Sequence, residues 1–344
     1  MVLAPIIRIF PTLLADKAGG KSYISVILGG IFAISLILLF GFIIKRRPGV
    51  PLSDLITNIL GKPVGIILLS IYLLWCTFIF SLYLRFYAEQ ITSILIPECK
   101  IEIIIIIMLI FCFYLLKNNI KSVARLMEFL FYFFVIIFAF ISVITILQQS
   151  NFLNLEFMGH FDISGIFKGS MVALSSFSYL FFLFFFFHRV NNKKDYVKTG
   201  IKSIIYLVIS GIIVVISTVG VLGVGASTHL AMPYFSVVKN FSFFNTVEHF
   251  EGVIFSLWIV VDFAVIYSFA YIVITILNKL FKPADKNLFT VPLLLTGFSF
   301  ALSIGKTAFD VDLVANLFVV WGNIILSLPI LIVLIVVGKI RKIL

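Results

Sequence analysis

The chain has 344 residues, of which 62% are hydrophobic and only 12% charged, with a formal net charge of +11. Soluble domains average about half apolar and about a quarter charged, so a mean hydropathy of +1.21 excludes a water-facing globule and points to lipid as the main solvent. Cys76, Cys99 and Cys112 offer neither a disulfide framework nor a metal-ligand spacing. No phosphate loop, nucleophile elbow, HExxH or CxxC is present, so neither an enzyme nor a cofactor is expected.

A spanning helix needs about 20 apolar residues, because the hydrocarbon core is about 30 Å thick and a helix rises about 1.5 Å per residue. In chain order the apolar stretches cover 1–15, 23–44, 64–84, 101–116, 126–147, 166–187, 201–223, 252–277, 288–304 and 313–337, about ten in all. The first contains Pro5, Arg8 and Pro11, which argues against a secretory signal peptide. It covers only about 22 Å if helical, so its inner half is expected upstream, from a truncated or misassigned start.

Most of the 26 basic residues fall between alternate stretches and at the end of the chain: Lys45, Arg46, Arg47 and Lys62; Lys117, Lys121 and Arg125; Arg189, Lys193, Lys194, Lys198 and Lys202; Lys279, Lys282 and Lys286; Lys339, Arg341 and Lys342. Positive residues flanking a span resist translocation, so both termini are expected in the cytoplasm. The net charge then reflects topology and contact with anionic membrane lipid, not nucleic acid. The expected fold is all-α, one integral membrane domain over 1–344. Five helices per half turn the second half over, giving inverted repeats over about 1–148 and 160–344. In such plans the first helix of each half is broken near the midplane, where exposed backbone groups hold a small substrate.

About ten residues into the sixth stretch, mid-depth falls at the polar patch Ser175, Ser176, Ser178 and Tyr179. These serines either line a site or bond to their own carbonyls and to neighbouring helices. The first stretch reaches mid-depth near Pro5, whose ring either frees a carbonyl or simply kinks a packed helix. In the third, Tyr72, Trp75 and Cys76 cluster as cavity wall or packing. Asp262 lies about 15 Å into the eighth with no basic residue within a turn. It therefore needs a partner from another helix, a bound cation or a proton, unless it is a neutral interhelical hydrogen-bonding group. Arg85 and Glu89 count to the outer boundary as an interfacial ion pair, and Arg125 with Glu128 as an intrahelical pair. Residues 224–250, with Met232-Pro233-Tyr234-Phe235 and the run from Phe241 to Phe244, read as a short interfacial helix or lid. Asn245 to Glu248 reads as a helix start.

Several stretches carry a family resemblance: Arg46-Arg47-Pro48-Gly49, Leu52, Leu60-Gly61-Lys62-Pro63-Val64-Gly65, Ala124-Arg125-Leu126-Met127-Glu128, Val247-Glu248-His249-Phe250-Glu251 and Trp258. Their order and spacing resemble the B subunit of spore germinant receptors, the GerAB-type permease-like proteins of endospore formers, from about Leu3 onward. His249 stands where that family usually has Arg, and Leu180-Phe181 where a glycine and an acidic residue are common. The resemblance implies the LeuT-like fold of the amino acid, polyamine and organocation permeases and a place in the spore inner membrane. It also implies a complex with an A subunit and a lipoprotein C subunit, and a small nutrient germinant, commonly an amino acid, as ligand. Pro5, Tyr72, Trp75, Ser175, Ser176, Ser178, Tyr179 and Asp262 are the residues expected around that ligand. A transporter of the same fold is the alternative.

Overall fold

A computed structural model describes residues 1–118, 120–149, 152–155, 162–189, 195–230, 232–239, 251–305 and 307–344. The described secondary structure is helical throughout, with no strand. Seven stretches are long and apolar enough to cross a membrane: Leu3–Arg46, Lys62–Ser93, Ile120–Leu147, Ile163–Phe187, Tyr196–His229, Trp258–Phe281 and Asp310–Ile340. A chain with this many such helices is a multi-pass integral membrane protein.

The stretches read from the sequence map onto these seven and two shorter helices. Leu3–Arg46 holds the first and second: α1 (Leu3–Ile9) runs through a π-helical turn at Phe10–Leu14, α2 (Ala15–Ala18) and a 3-10 turn into α3 (Ser22–Arg46). The fourth and ninth are α6 (Ile101–Lys117), of 17 residues, and α13 (Thr290–Ser303), of 14. Both are shorter than the usual span of about 20 residues.

Local sequence explains where the helices start. Between α3 and α5 lies α4 (Leu52–Leu60), amphipathic, with Leu52, Leu55, Ile56 and Ile59 turned inward. α5 (Lys62–Ile94) opens behind Gly61, at φ 89°, with Pro63 in its first turn, where a missing N–H breaks no intrahelical bond. α14 (Ala308–Ile340) opens on a capping box: the Asp310 backbone N–H donates to Thr307 Oγ1 at 3.3 Å and the Thr307 N–H to Asp310 Oδ2 at 3.0 Å. Leu74, Phe111, Ile136 and Trp321 are exposed, as expected where lipid replaces water outside the bundle.

α8 (Ile163–Phe177) begins the most deeply buried of the seven long apolar stretches. It packs on α3 and α14. A Cβ added at Gly29 of α3 would stand 2.5 Å from the Ala173 Cβ and 3.0 Å from the Ser170 carbonyl oxygen, so two backbones approach closely across small residues. α7 (Ile120–Gln149) packs on α10 (Tyr196–His229), which packs on α3; α12 (Glu251–Phe281) packs on α5. α10 continues past Gly223, which at φ 74° and ψ 168° forms a kink where the apolar stretch was expected to end. α11 (Pro233–Lys239) buries Pro233, Tyr234, Phe235, Val237 and Val238, and Tyr234 Oη lies 2.7 Å from Ser142 Oγ. A short helix is present where a short interfacial helix or lid was expected, and its five buried side chains pack it onto the bundle. The run from Phe241 to Phe244 and the expected helix start at Asn245 to Glu248 lie outside the described residues.

Candidate functional site

The sixth stretch is interrupted. Ser178 (ψ −14°) and Leu183 (ψ −16°) depart from the α-helical ψ of about −42°, so α8 gives way to the single turn α9 (Tyr179–Phe182) and then to a 3-10 helix over Leu183–Arg189. The break expected at Ser175 therefore lies at Ser178, within the same polar patch. In the first stretch the irregular turn surrounds Pro11, whereas Pro5 sits buried in the first turn of α1, where its lack of an N–H costs little.

The serines and aromatics singled out from the sequence come together against α14. Trp75 Nε1 donates to Asn323 Oδ1 at 3.1 Å, and Asn323 Nδ2 reaches the Ser175 carbonyl at 3.4 Å. Ser175 Oγ donates to the Val319 carbonyl at 3.2 Å, and Ser178 Oγ lies 3.1 Å from Ser327 Oγ. Tyr72 donates to the Leu326 carbonyl. Ser176 bonds back to the Val172 carbonyl at 3.4 Å. Tyr179 is fully buried beside Tyr83 and Phe269, its hydroxyl without a hydrogen bond of good geometry. Tyr72, Trp75, Ser175 and Ser178 thus lock α5 and α8 to α14 through buried hydrogen bonds, which orphaned polar groups in an apolar interior make costly to break.

Asp262 stands apart from that lock, in a buried charge network. Gln90 of α5 is oriented with its side-chain nitrogen toward Asp262 and its oxygen toward Arg8, the arrangement in which every contact pairs a donor with an acceptor. It donates to Asp262 Oδ2 at 2.7 Å and accepts from Arg8 Nη1 at 3.3 Å. Arg8 also pairs with Asp312 Oδ1 of α14 at 3.4 Å, and its guanidinium carbon lies 3.5 Å from the centre of the Phe86 ring, a cation–π contact in addition to an ion pair. Arg85 Nε donates to Glu89 Oε1 at 2.7 Å, leaving Oε2 without a partner among the described residues. Arg85 and Glu89 form the expected ion pair one turn apart on α5, and they are buried, at 5% and 7% exposure, because neighbouring helices surround this part of α5. Arg125 and Glu128 form no ion pair among the described contacts; both are exposed. Arg8 and Gln90 escaped the sequence reading as site residues, although an arginine inside an apolar helix is itself a signal of function.

The turns that follow Ser178 border a cavity of about 650 Å3 between the start of α1, α7, α10 and α12, and none of Pro5, Tyr72, Trp75, Ser175, Ser176, Ser178, Tyr179 and Asp262 lines it. Leu180, Leu183 and Phe186 form one wall, Val260, Val261, Ala264 and Tyr267 another, and Glu128 and Lys202 lie at the exposed rim. Its volume is in the range of small-molecule sites, about 300–1,000 Å3. The buried Tyr267 hydroxyl has no partner among the described residues. A family model described as spore germination protein matches residues 1–309. The chain belongs to the spore germination protein family. No curated protein matches it. Arg8, Gln90 and Asp262 of this spore germination protein lie within the matched residues; Asp312, Asn323 and Ser327 lie beyond them. Family and helices together make it a permease-like membrane protein.

Proposed function

We propose that this chain is the membrane subunit of a spore germinant receptor that binds a small nutrient, an amino acid, in a transporter-like site and signals germination to partner subunits. The observation that carries this reading is the cavity of about 650 Å3 set against the interrupted helix at Ser178. Helix interruptions at membrane depth are tolerated where they line a cavity, and there they supply backbone groups to a ligand. On this reading the ten apolar helices are two inverted five-helix repeats, and both termini face the cytoplasm of the spore inner membrane. Receptor A and C subunits are the partners, and no catalysis is involved. Tyr72, Trp75, Ser175 and Ser178 then hold the wall of the site in place through α14, while Pro5 and Tyr179 pack behind it.

Leu183→Trp fills the cavity without touching the α14 lock. In spores, this substitution is expected to raise the amino acid concentration for half-maximal germination about tenfold or more at unchanged protein abundance. An unchanged dose response would remove the cavity from the function. The interruption also suits a transporter of the same fold, so uptake of labelled amino acids into liposomes separates the two readings: the receptor reading expects none above protein-free vesicles.

A further inference from the structure

Four helices are tied together around Gln90. Its side chain, on α5, is only 1% exposed and touches Asp262 on α12 and Arg8 on α1. Arg8 goes on to Asp312 on α14, and the burial changes sharply across that pair: the Arg8 side chain is 8% exposed and that of Asp312 34%. One end of this chain of contacts is therefore sealed and the other half-open. The sealed end adjoins the cavity, since Val261, the chain neighbour of Asp262, lines it, as does Leu3 on the helix that carries Arg8. α1 is followed at once by the π-helical turn containing Pro11, and π turns and prolines are where helices bend.

We infer that Gln90 is a positioning residue that ties α1 to α12, so that occupancy of the cavity between these helices is read out at the Arg8–Asp312 pair. This rests on the ligand reading above and specifies how that site is coupled to the rest of the receptor. Direct contact between Arg8 and Asp262 would make a buried ion pair, and losing one partner of such a pair leaves an uncompensated charge in an apolar interior. The neutral amide divides that interaction into two hydrogen bonds, each of which can lengthen separately. A shift of α1 about its irregular turn weakens the bond from Arg8 to Gln90 while Asp262 keeps its donor. A ligand seated between Leu3 and Val261 favours the spacing of α1 and α12 that it fits, and differential fit to two arrangements is what coupling between sites requires. Arg8 carries that spacing to Asp312.

The test uses the full receptor in spore membranes, with an equimolar mixture of the common L-amino acids as probe and the cysteine of Thr12→Cys, in the π-helical turn, as reporter of α1. Impermeant maleimide is expected to modify that cysteine at a rate that changes on adding the mixture. In Gln90→Glu, which keeps size and polarity but repels Asp262, and in Gln90→Leu, that dependence is expected to vanish, and the amino acid concentration for half-maximal germination to rise about tenfold or more. A ligand-dependent rate in Gln90→Glu equal to wild type, at normal abundance, overturns the inference. So does a wild-type rate that ignores the mixture in spores that germinate with it. If neither variant accumulates, Gln90→Asn, too short to reach both partners, is read in the same way. Wild-type spores that neither bind nor respond to the mixture would instead remove the ligand reading, a result distinct from failure of the relay alone.

Discussion

The indole of Trp75 donates to Asn323 at 3.1 Å, and the residue before that asparagine is a glycine because the indole lies where a side chain would be. A Cβ added at Gly322 would stand 2.1 Å from Trp75 Cη2. The same asparagine also reaches Ser175, so one fully buried side chain joins three helices.

Asn323→Ala should therefore orphan the Trp75 N–H and cost about 1–3 kcal/mol. Ser175→Ala leaves the Trp75 bond in place and should cost under about 1 kcal/mol, the common size of an interhelical hydrogen bond in membranes. Thermal melting of both variants in one detergent checks the order. Equal losses would show that Asn323 does not act as a joint.

Close backbone approach makes a second prediction. Gly29→Val drives a branched side chain into the Ser170 carbonyl and the Ala173 methyl, and overpacking of this kind costs about 1–3 kcal/mol. Gly225 has nothing within 4 Å of an added Cβ and is exposed, so Gly225→Ala should be neutral or slightly stabilising, helix propensity favouring alanine by about 1 kcal/mol. Membrane abundance and melting temperature of the two variants distinguish a packing seam from a general intolerance of glycine replacement.

Asp262 is expected to act through its charge. Asp262→Asn keeps an acceptor for Gln90 but removes the negative end of the network that includes Arg8, whereas Asp262→Ala removes both. Both substitutions should abolish the germination response at normal abundance. A full response in Asp262→Asn with failure confined to Asp262→Ala would make the residue a hydrogen-bonding group between helices and no more.

How much of this was legible in the chain differs from place to place. The helical membrane fold follows from apolar length alone, and the break in the sixth stretch was found within a turn because serines at mid-depth were its mark. The partners of Asp262 were not legible. Arg8 and Gln90 lie far from it in sequence, and which faces of two helices meet is decided by rotation about each axis, which an almost uniformly apolar composition hides. The pairing of Arg85 with Glu89 follows from their spacing of four, whereas their burial does not, since it is set by the helices packed around α5. The serines were recognised as special, but not what they bind, since Val319, Asn323 and Ser327 are carried by α14.

The asymmetry of the basic residues yields a topological prediction. Cysteines introduced at Lys198 or Lys202 should resist an impermeant reagent applied from outside, and one at His229, exposed at the end of α10, should react. Reaction at Lys198 from outside would turn the chain over and remove the inverted-repeat reading.

Because α8 is so fully enclosed, the order of synthesis has a physical consequence. The ribosome delivers Ser175 and Ser178 long before it delivers Val319, Asn323 and Ser327, which supply their buried partners. Until α14 enters the bilayer, the polar stripe of α8 faces either lipid or whatever insertion machinery shields it, and unsatisfied groups in hydrocarbon are costly. Packing of α8 is thus completed only by α14, and a nascent chain stalled ahead of α14 should be far more open to proteolysis than its length alone would suggest.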